Sequence, residues 1–331
     1  MMQATLSLDL DNQWSYMKTH GDAGWEAFPS YLDVVVPRVL AFLAQRSLRI
    51  TVFVVGQDAE LPRNMPMLRS VAEAGHEIGN HSFHHEPWLH LHGEAEIDGE
   101  LARAESAIER ATGVHPFGFR GPGFTRSETI LRVLARRGYR YDASTLATWI
   151  GPLARAYYFR TAHLDAQAMR EREALFGRLT DAFQPNGCRW VRTTAGEIAV
   201  LPVTTMPLLR VPIHVSYVLY LAAVSPAAAR AYFRAALTLC RLTGTEPSIL
   251  LHPLDFLGAE DCPELAFFPA MQMGAKAKIA VVSQACEALS SAFDIRPLLE
   301  YVREREAPSS AMQADRCPRG SGSPSCADRH P

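Results

Sequence analysis

The stretch at residues 5–11, TLSLDLD, alternates side chains with a period of two and ends in two aspartates separated by one leucine. This period predicts a β-strand that carries Asp9 and Asp11 on the same face at its C-terminal end. Two carboxylates at the end of an apolar strand are costly unless they are paired, hydrated or bound to a metal. An Asx turn or a helix cap is the simpler alternative.

Strand-like and helix-like segments alternate from this first strand onward. The repeated alternation predicts an α/β protein with a parallel sheet, open or closed into a barrel. Glycines follow four of the helix-like segments, where a left-handed C-cap would lie. The further strand-like segments are 49–56, 76–82, 116–122, 139–144, 197–205 and 247–256, and the helix-like segments are 31–45, 65–74, 94–112, 127–137, 226–242 and 271–289.

Composition indicates a soluble globular protein. Of 331 residues, 48% are hydrophobic and 21% are charged, and the net charge of −2 argues against a nucleic-acid binder. Six scattered cysteines without metal-type spacing favour a reducing compartment over a disulfide framework. No signal peptide is recognisable, so we expect a cytoplasmic protein.

One large domain accounts for most of the chain. We expect it to cover residues 1–306, with residues 151–194 as an insertion that interrupts the strand–helix rhythm. Residues 307–331 are polar and rich in proline, serine and glycine. They cannot bury a core, and we expect a disordered tail.

A second unusual stretch, IGNHSFHHEPWLHLHG at residues 78–93, holds five of the twelve histidines. His81 and His85 are four residues apart, so one helical turn or tight loop can direct both imidazoles at one ion. An HxxxH pair alone is weak evidence. The other three histidines are expected to be solvated or to support the site indirectly.

Ionisable residues follow several of the predicted strands. Beyond the first strand they are His81, Arg120, Asp142 and His252. Catalytic groups of α/β barrels gather at the carboxyl ends of the strands. Taken singly, each has an ordinary structural interpretation, but their recurrence at five strand ends indicates an active site.

Four segments, in order, resemble the motifs of the NodB-type polysaccharide deacetylases, carbohydrate esterase family 4, in the branch whose first motif reads Asp-x-Asp. They are LDLDN at 8–12, HSFHH at 81–85, FRGPGF at 119–124 and LLHPLDF at 250–256. The usual fourth motif, an Asp followed directly by Trp, is absent. Asp142 and Trp149 are the two alternatives for its place, and the sequence does not choose between them.

The resemblance implies a distorted (β/α) barrel of about seven parallel strands. It also implies that Asp11, His81 and His85 bind one divalent metal, and such a ligand set suits Zn²⁺, with Co²⁺ as an alternative. Three catalytic residues follow in the same way: Asp9 as general base, Arg120 as its partner, and His252 as the acid that protonates the leaving amine.

The activity implied is metal-dependent hydrolysis of an N-acyl group, N-acetyl or N-formyl, from an amino sugar. Two alternatives stay open: an amidase acting on a non-sugar C–N bond, and a catalytically silent carbohydrate-binding barrel.

A cytoplasmic enzyme would act on a precursor, and the charge-free run at residues 211–229 favours a polyprenyl-phosphate-linked sugar. Pro212 and His214 argue against a transmembrane helix in this run. We therefore expect peripheral contact with the inner face of the membrane through apolar residues, with Arg210, Arg230 and Arg234 meeting lipid phosphates.

Overall fold

The computed structural model describes residues 1–151, 153, 156 and 182–306. The predicted tail at 307–331 and most of the predicted insertion lie outside these residues. Within them, nine strands form one sheet. The strands are β1 Gln3–Asp9, β2 Thr51–Val54, β3 Glu77–Asn80, β4 Gly118–Phe119, β5 Tyr141–Asp142, β6 Arg189–Thr193, β7 Gly196–Val200, β8 Ser248–Leu251 and β9 Asp294–Arg296.

Helices separate most of these strands, as the sequence pattern predicts. They are α1 Gln13–His20, α2 Leu32–Ala44, α3 Gly56–Glu60, α4 Met65–Glu73, α5 Glu94–Thr112, α6 Glu128–Arg136, α7 Val215–Val224, α8 Pro226–Leu242, α9 Ala275–Ala292 and α10 Leu298–Arg303. The glycines expected to follow helices do so with positive φ, at Gly75, Gly113, Gly138 and Gly244. Only glycine adopts this backbone region without strain.

The sheet is parallel except for the β6–β7 hairpin, and its strand order is β6-β7-β5-β4-β3-β2-β1-β8, with β9 paired to the start of β1. Beyond β7, the Thr204 amide donates to the Ser248 carbonyl at the start of β8, over 2.9 Å. This bond brings the two ends of the curled sheet together. The expected distorted barrel of about seven parallel strands is therefore confirmed.

Side chains alternate between the barrel interior and the helical layer. Leu6 and Leu8 of β1 lie in the main apolar core between sheet and helices. Ser7 and Asp9, on the opposite face, both contact the buried guanidinium of Arg120 inside the barrel. The interior is narrow near β4, where a Cβ on Gly118 would lie 2.0 Å from the Tyr141 ring. Glycine is therefore required at this position for the two strands to pair.

Sequence patterns missed the short or irregular elements. These are α1, α3, α7, α10, β6 and β9, and the two predicted strands around β4 and β5 shrink to two residues each. The strand β6 lies in the stretch expected to be an insertion, and it pairs with β7 along the sheet edge. The apolar run at 211–229 is divided between the end of a loop, α7 and the start of α8. Among the described residues, no helix is long and apolar enough to cross a membrane.

Candidate functional site

Strand register brings the predicted site residues together at the carboxyl end of the barrel. In the parallel pairing of β1 with β8, Leu8 lies opposite Leu251. The next positions, Asp9 and His252, are therefore neighbours with side chains on the same face. Asp9 lies opposite Phe53 of β2. The strand β1 is therefore flanked by β2 and β8, and the three strands end at the same edge of the sheet.

Asp11, His81 and His85 form one buried cluster. The Asp11 Oδ1 atom lies 3.1 Å from His81 Nε2 and 3.0 Å from His85 Nε2. One ligand atom from each residue falls within 4.8 Å of the other two. The sequence-predicted ligand set is thus assembled from two elements that are 70 residues apart along the chain.

The hydrogen bonding of His81 indicates which of its nitrogens faces an ion. Its Nδ1 lies 2.6 Å from the carbonyl oxygen of Arg120, which can only accept, so Nδ1 carries the proton. The lone pair of Nε2 then faces the Asp11 carboxylate, and a cation or a second proton must lie between these two atoms. Hydrogen bonds made by the ring nitrogen that does not face the metal orient metal-binding histidines in many proteins. The donor set and its orientation therefore fit a divalent metal.

The electrostatics of the cluster agree with an anionic carboxylate between two imidazoles. Burial by itself would raise the pKa of Asp11, but the His85 charge and hydrogen bonds from both histidines hold it well below its usual value. Burial would lower the pKa of His81, but the carboxylates of Asp9 and Asp11 raise it. For His85, burial prevails and its pKa is lowered. The cluster thus favours an ionised Asp11 carboxylate and a neutral His85, the forms that bind metal, while the raised pKa of His81 reflects the negative charge around its imidazole.

The loop that carries the two histidines is held from outside by a glutamate that sequence reasoning missed. Ser82 and His85 adopt positive φ values of 61° and 52°, which are unfavourable for residues with a side chain. Glu100 of α5 accepts hydrogen bonds from the backbone amides of Phe83 and His84 over 2.9 and 2.6 Å. Local sequence gives no signal for this role, because Glu100 resembles any other acidic residue of an exposed helix.

Asp58 supports the other half of the cluster. Its Oδ1 atom accepts hydrogen bonds from Asn12 Nδ2, Trp14 Nε1 and Asn64 Nδ2 over 2.7, 2.9 and 3.1 Å. Asn12 directly follows Asp11 and caps α1, so these bonds fix the chain where it leaves the metal site. Burial raises the pKa of Asp58 to about 7.

Asp9 and Arg120 form a buried ion pair, as the family resemblance implies. The Arg120 Nη1 atom donates to Asp9 Oδ1 over 2.7 Å and to Ser7 Oγ over 2.9 Å, and Nε donates to the Ala143 carbonyl over 3.0 Å. The guanidinium carbon lies 4.4 Å from the centre of the Phe53 ring. These contacts fix the Asp9 carboxylate inside the barrel, and Asp9 is not a member of the Asp11–His81–His85 cluster.

His252 has a hydrogen-bond partner, Ser216, that the sequence did not identify. Its Nδ1 atom is 3.0 Å from Ser216 Oγ in α7, and Ser216 donates to Asp255 Oδ1 over 2.8 Å. A second imidazole, His214, packs with its ring centre 6.0 Å from that of His252. Burial, assisted by the charges of His252 and Arg120, lowers the pKa of His214 to about 3, so this ring is neutral.

Neither alternative for the missing fourth motif contacts His252 in the described hydrogen bonds. Asp142 follows the interior-facing Tyr141, so the strand pleat turns it outward, where its carboxylate meets Ser144 and, at 3.8 Å, Arg126. Trp149 is 41% exposed and donates its indole N–H to the Leu209 carbonyl over 2.8 Å. The hydrogen-bonded groups beside His252 are Ser216 and Asp255.

The remaining histidines of the rich stretch have other partners. His84 pairs with Glu100 over 2.7 Å, and His92 lies 3.5 Å from Glu86. His90 lies 2.8 Å from the Thr125 hydroxyl. The expectation that only His81 and His85 take part in the metal cluster agrees with this geometry.

Comparisons with known proteins agree with the fold. Residues 22–141 match the polysaccharide deacetylase family model. A peptidoglycan deacetylase of Helicobacter pylori is 28% identical over 128 residues, which cover 39% of this chain and 41% of that protein. The chain therefore matches less than half the length of this curated relative.

Solved structures extend the likeness of the fold to nearly the whole chain. A protein from Mycobacterium smegmatis, described as a polysaccharide deacetylase, superposes with a TM-score of 0.58 at 20% identity over 98% of this chain and 96% of its own. An allantoinase superposes with a TM-score of 0.56 at 17% identity over 91% of this chain and 89% of its own.

These findings define the class of the protein, a NodB-type (β/α) barrel. Within this class, the resemblance to the polysaccharide deacetylases is confirmed. The family match contains His81, His85 and Arg120, whereas Asp9, Asp11 and His252 lie outside it. The placement of these last three residues in the site thus rests on the structure.

Proposed function

We propose that the protein hydrolyses the N-acyl group, N-acetyl in the first instance, of an amino sugar. The observation that carries this proposal is the meeting of the Asp11–His81–His85 cluster with the Asp9–Arg120 pair at one barrel mouth. The relative from Helicobacter pylori, named a peptidoglycan deacetylase, supports the same reaction class.

Asp11, His81 and His85 would hold one divalent cation, Zn²⁺ or alternatively Co²⁺, because one carboxylate and two imidazoles suit both ions. When bound, the cation supplies a Lewis acid for the acyl carbonyl and lowers the pKa of water. Every other part of the reaction is assigned to side chains of this protein.

Asp9 accepts the proton of the attacking water, and Arg120 aligns its carboxylate through the 2.7 Å hydrogen bond. The water oxygen bonds to the acyl carbon, and the C–N bond then breaks with its electron pair on nitrogen. His252 gives a proton to this nitrogen, because an amide nitrogen leaves poorly as an anion. One water is consumed, and the products leave as a carboxylate and an ammonium group, while the proton held by Asp9 passes through solvent to restore protonated His252.

The finer proposal is a lipid-linked amino sugar, met at the inner face of the cytoplasmic membrane. Three features support it: Leu208 and Val224 are 78% and 85% exposed, and the exposed Arg230 and Arg234 lie on α8, the helix that follows Val224. Exposed apolar side chains beside basic ones suit an interface with anionic lipid. Sedimentation with liposomes containing anionic lipid tests this contact, and a fully soluble protein would contradict it.

The reaction is tested by metal analysis combined with amine release from N-acetylated and N-formylated sugars, both free and polyprenyl-phosphate-linked. Stoichiometric metal with amine release from a sugar would support the proposal. Release from non-sugar amides alone would favour an amidase, and no release from any substrate would favour a silent barrel. In the same assay, His252→Ala should slow amides with poor amine leaving groups more than activated esters, which need no proton on departure.

A further inference from the structure

His252 is connected to the protein interior by a short chain of hydrogen bonds. Its Nδ1 atom lies 3.0 Å from Ser216 Oγ, which is 2.8 Å from Asp255 Oδ1. The second carboxylate oxygen of Asp255 accepts the backbone N–H of His252 over 2.8 Å. Asp255 is 1% exposed and Ser216 is 8% exposed, so water has little access to these bonds. A residue that only closed the turn would need one carboxylate oxygen, whereas here both are used.

The number of available protons fixes the direction of the hydrogen bonds between His252, Ser216 and Asp255. A hydroxyl has one proton to donate, and a carboxylate has none. Ser216 therefore gives its proton to Asp255, and its lone pair accepts a hydrogen bond from Nδ1–H of His252. The remaining ring nitrogen, Nε2, is then the atom that gains and loses a proton.

We propose that Ser216 and Asp255 are positioning residues that hold the proton of neutral His252 on Nδ1, so that Nε2 is the nitrogen that delivers a proton to the substrate. This role rests on the proposed function, in which His252 protonates the leaving amine.

Asp255 accepts hydrogen bonds at both carboxylate oxygens, from Ser216 Oγ and from the His252 backbone N–H. Burial raises its pKa, although the His252 charge, these two hydrogen bonds and the Lys278 charge oppose the rise. Lys278 is 1% exposed and donates to the Leu254 carbonyl over 2.8 Å. The nearby His214 makes ring contact with His252 but does not occupy its Nδ1. Ser216 is therefore the hydrogen-bond partner of Nδ1 among the residues that the structure describes.

The experiment reads the tautomer of His252 directly by long-range ¹H–¹⁵N NMR of the full-length, histidine-labelled protein with Zn²⁺. The His252→Gln spectrum assigns the signals. We expect neutral His252 to carry its proton on Nδ1 in the wild type. Ser216→Ala should move the proton toward Nε2, the position that free histidine prefers. Ser216→Thr, which keeps the hydroxyl, should restore Nδ1.

The matched control is Ser225→Ala, which removes a hydroxyl from the far end of α7 that caps α8 and does not contact His252. It should leave the His252 signals unchanged. A wild-type His252 protonated on Nε2, or a tautomer that does not respond to Ser216→Ala, would overturn the inference.

The steady-state kinetics of Ser216→Ala provide a second test of the positioning role. Ser216→Ala should lower kcat at least tenfold with KM unchanged, within the roughly 100- to 10,000-fold that general acid catalysis contributes. Because the tautomer is observed without turnover, a protein that showed the expected tautomers but released no amine would contradict the proposed function and leave the positioning role standing.

Discussion

Asp58→Asn should change how the stability of this protein depends on pH. Asp58 is 1% exposed, and its Oδ2 atom is buried without a hydrogen-bond partner among the described residues. Burial raises its pKa from the ordinary 3.8 to about 7. The folded protein therefore binds this proton more tightly than the unfolded chain does. Stability should accordingly fall as pH rises from about 4 to about 7 and then level off.

The magnitude follows from the two pKa values. Their difference corresponds to about 4 kcal/mol of unfolding free energy over the full range, and about 2 to 3 kcal/mol of it falls between pH 5 and pH 8. Asn at position 58 keeps the accepting Oδ1 but cannot ionise. Relative to the wild type, Asp58→Asn should therefore gain about 2 to 3 kcal/mol between these pH values. At pH 5 it should be less stable by about 1 to 3 kcal/mol, because its new N–H₂ group is buried without a partner.

Urea denaturation of metal-free wild type and variant at several pH values measures this difference, and titration of other groups cancels in the comparison. Trp14→Phe provides a control of opposite sign. It removes the indole hydrogen bond that lowers the pKa of Asp58, so this pKa should rise further and the loss of stability should extend to higher pH. Parallel stability curves for wild type and Asp58→Asn from pH 5 to pH 8 would refute the reasoning.

Further outcomes concern the site itself. Asp9→Asn should lower turnover by roughly 100- to 10,000-fold with metal content unchanged; loss of the metal would show that the two aspartates of the first motif have been exchanged. Arg120→Met leaves a buried carboxylate unpaired and should cost about 3 to 5 kcal/mol in urea denaturation, and a cost under about 1 kcal/mol would contradict the buried ion pair. Zn²⁺ at about 100 times its Kd should stabilise the wild type by about 3 kcal/mol, whereas stabilisation of the His81→Ala, His85→Ala double variant by the same amount would exclude this cluster as the metal site. Burial favours the neutral form of the His214 ring and lowers its pKa to about 3. Wild type should therefore lose about 2 kcal/mol of stability relative to His214→Phe as pH falls from 7 to 5. An unchanged difference would contradict the burial of a neutral ring.

The sequence determined the parts of this protein that depend on local pattern. The seven strand-like segments each contain a strand, because alternation and flanking turn residues act over a few neighbouring positions. The pleat sets the direction of Asp9 at the end of β1, whereas Asp11 lies two residues beyond that strand. The pairing of His81 with His85 follows from their spacing, although a loop with positive φ, and not a helical turn, produces it.

Only the tertiary structure decided which distant groups meet these residues. Asp142 is the last residue of β5, as Asp9 is of β1, but β5 has only two residues, and a shift of one position turns a side chain to the other face. Ser216 reaches His252 from a helix 36 residues earlier in the chain. Glu100 reaches the histidine loop from the middle of α5. Such partners carry no local signal, because a hydrogen bond between separate elements depends on how helices pack against the barrel and on the register of its strands, which are properties of the whole chain.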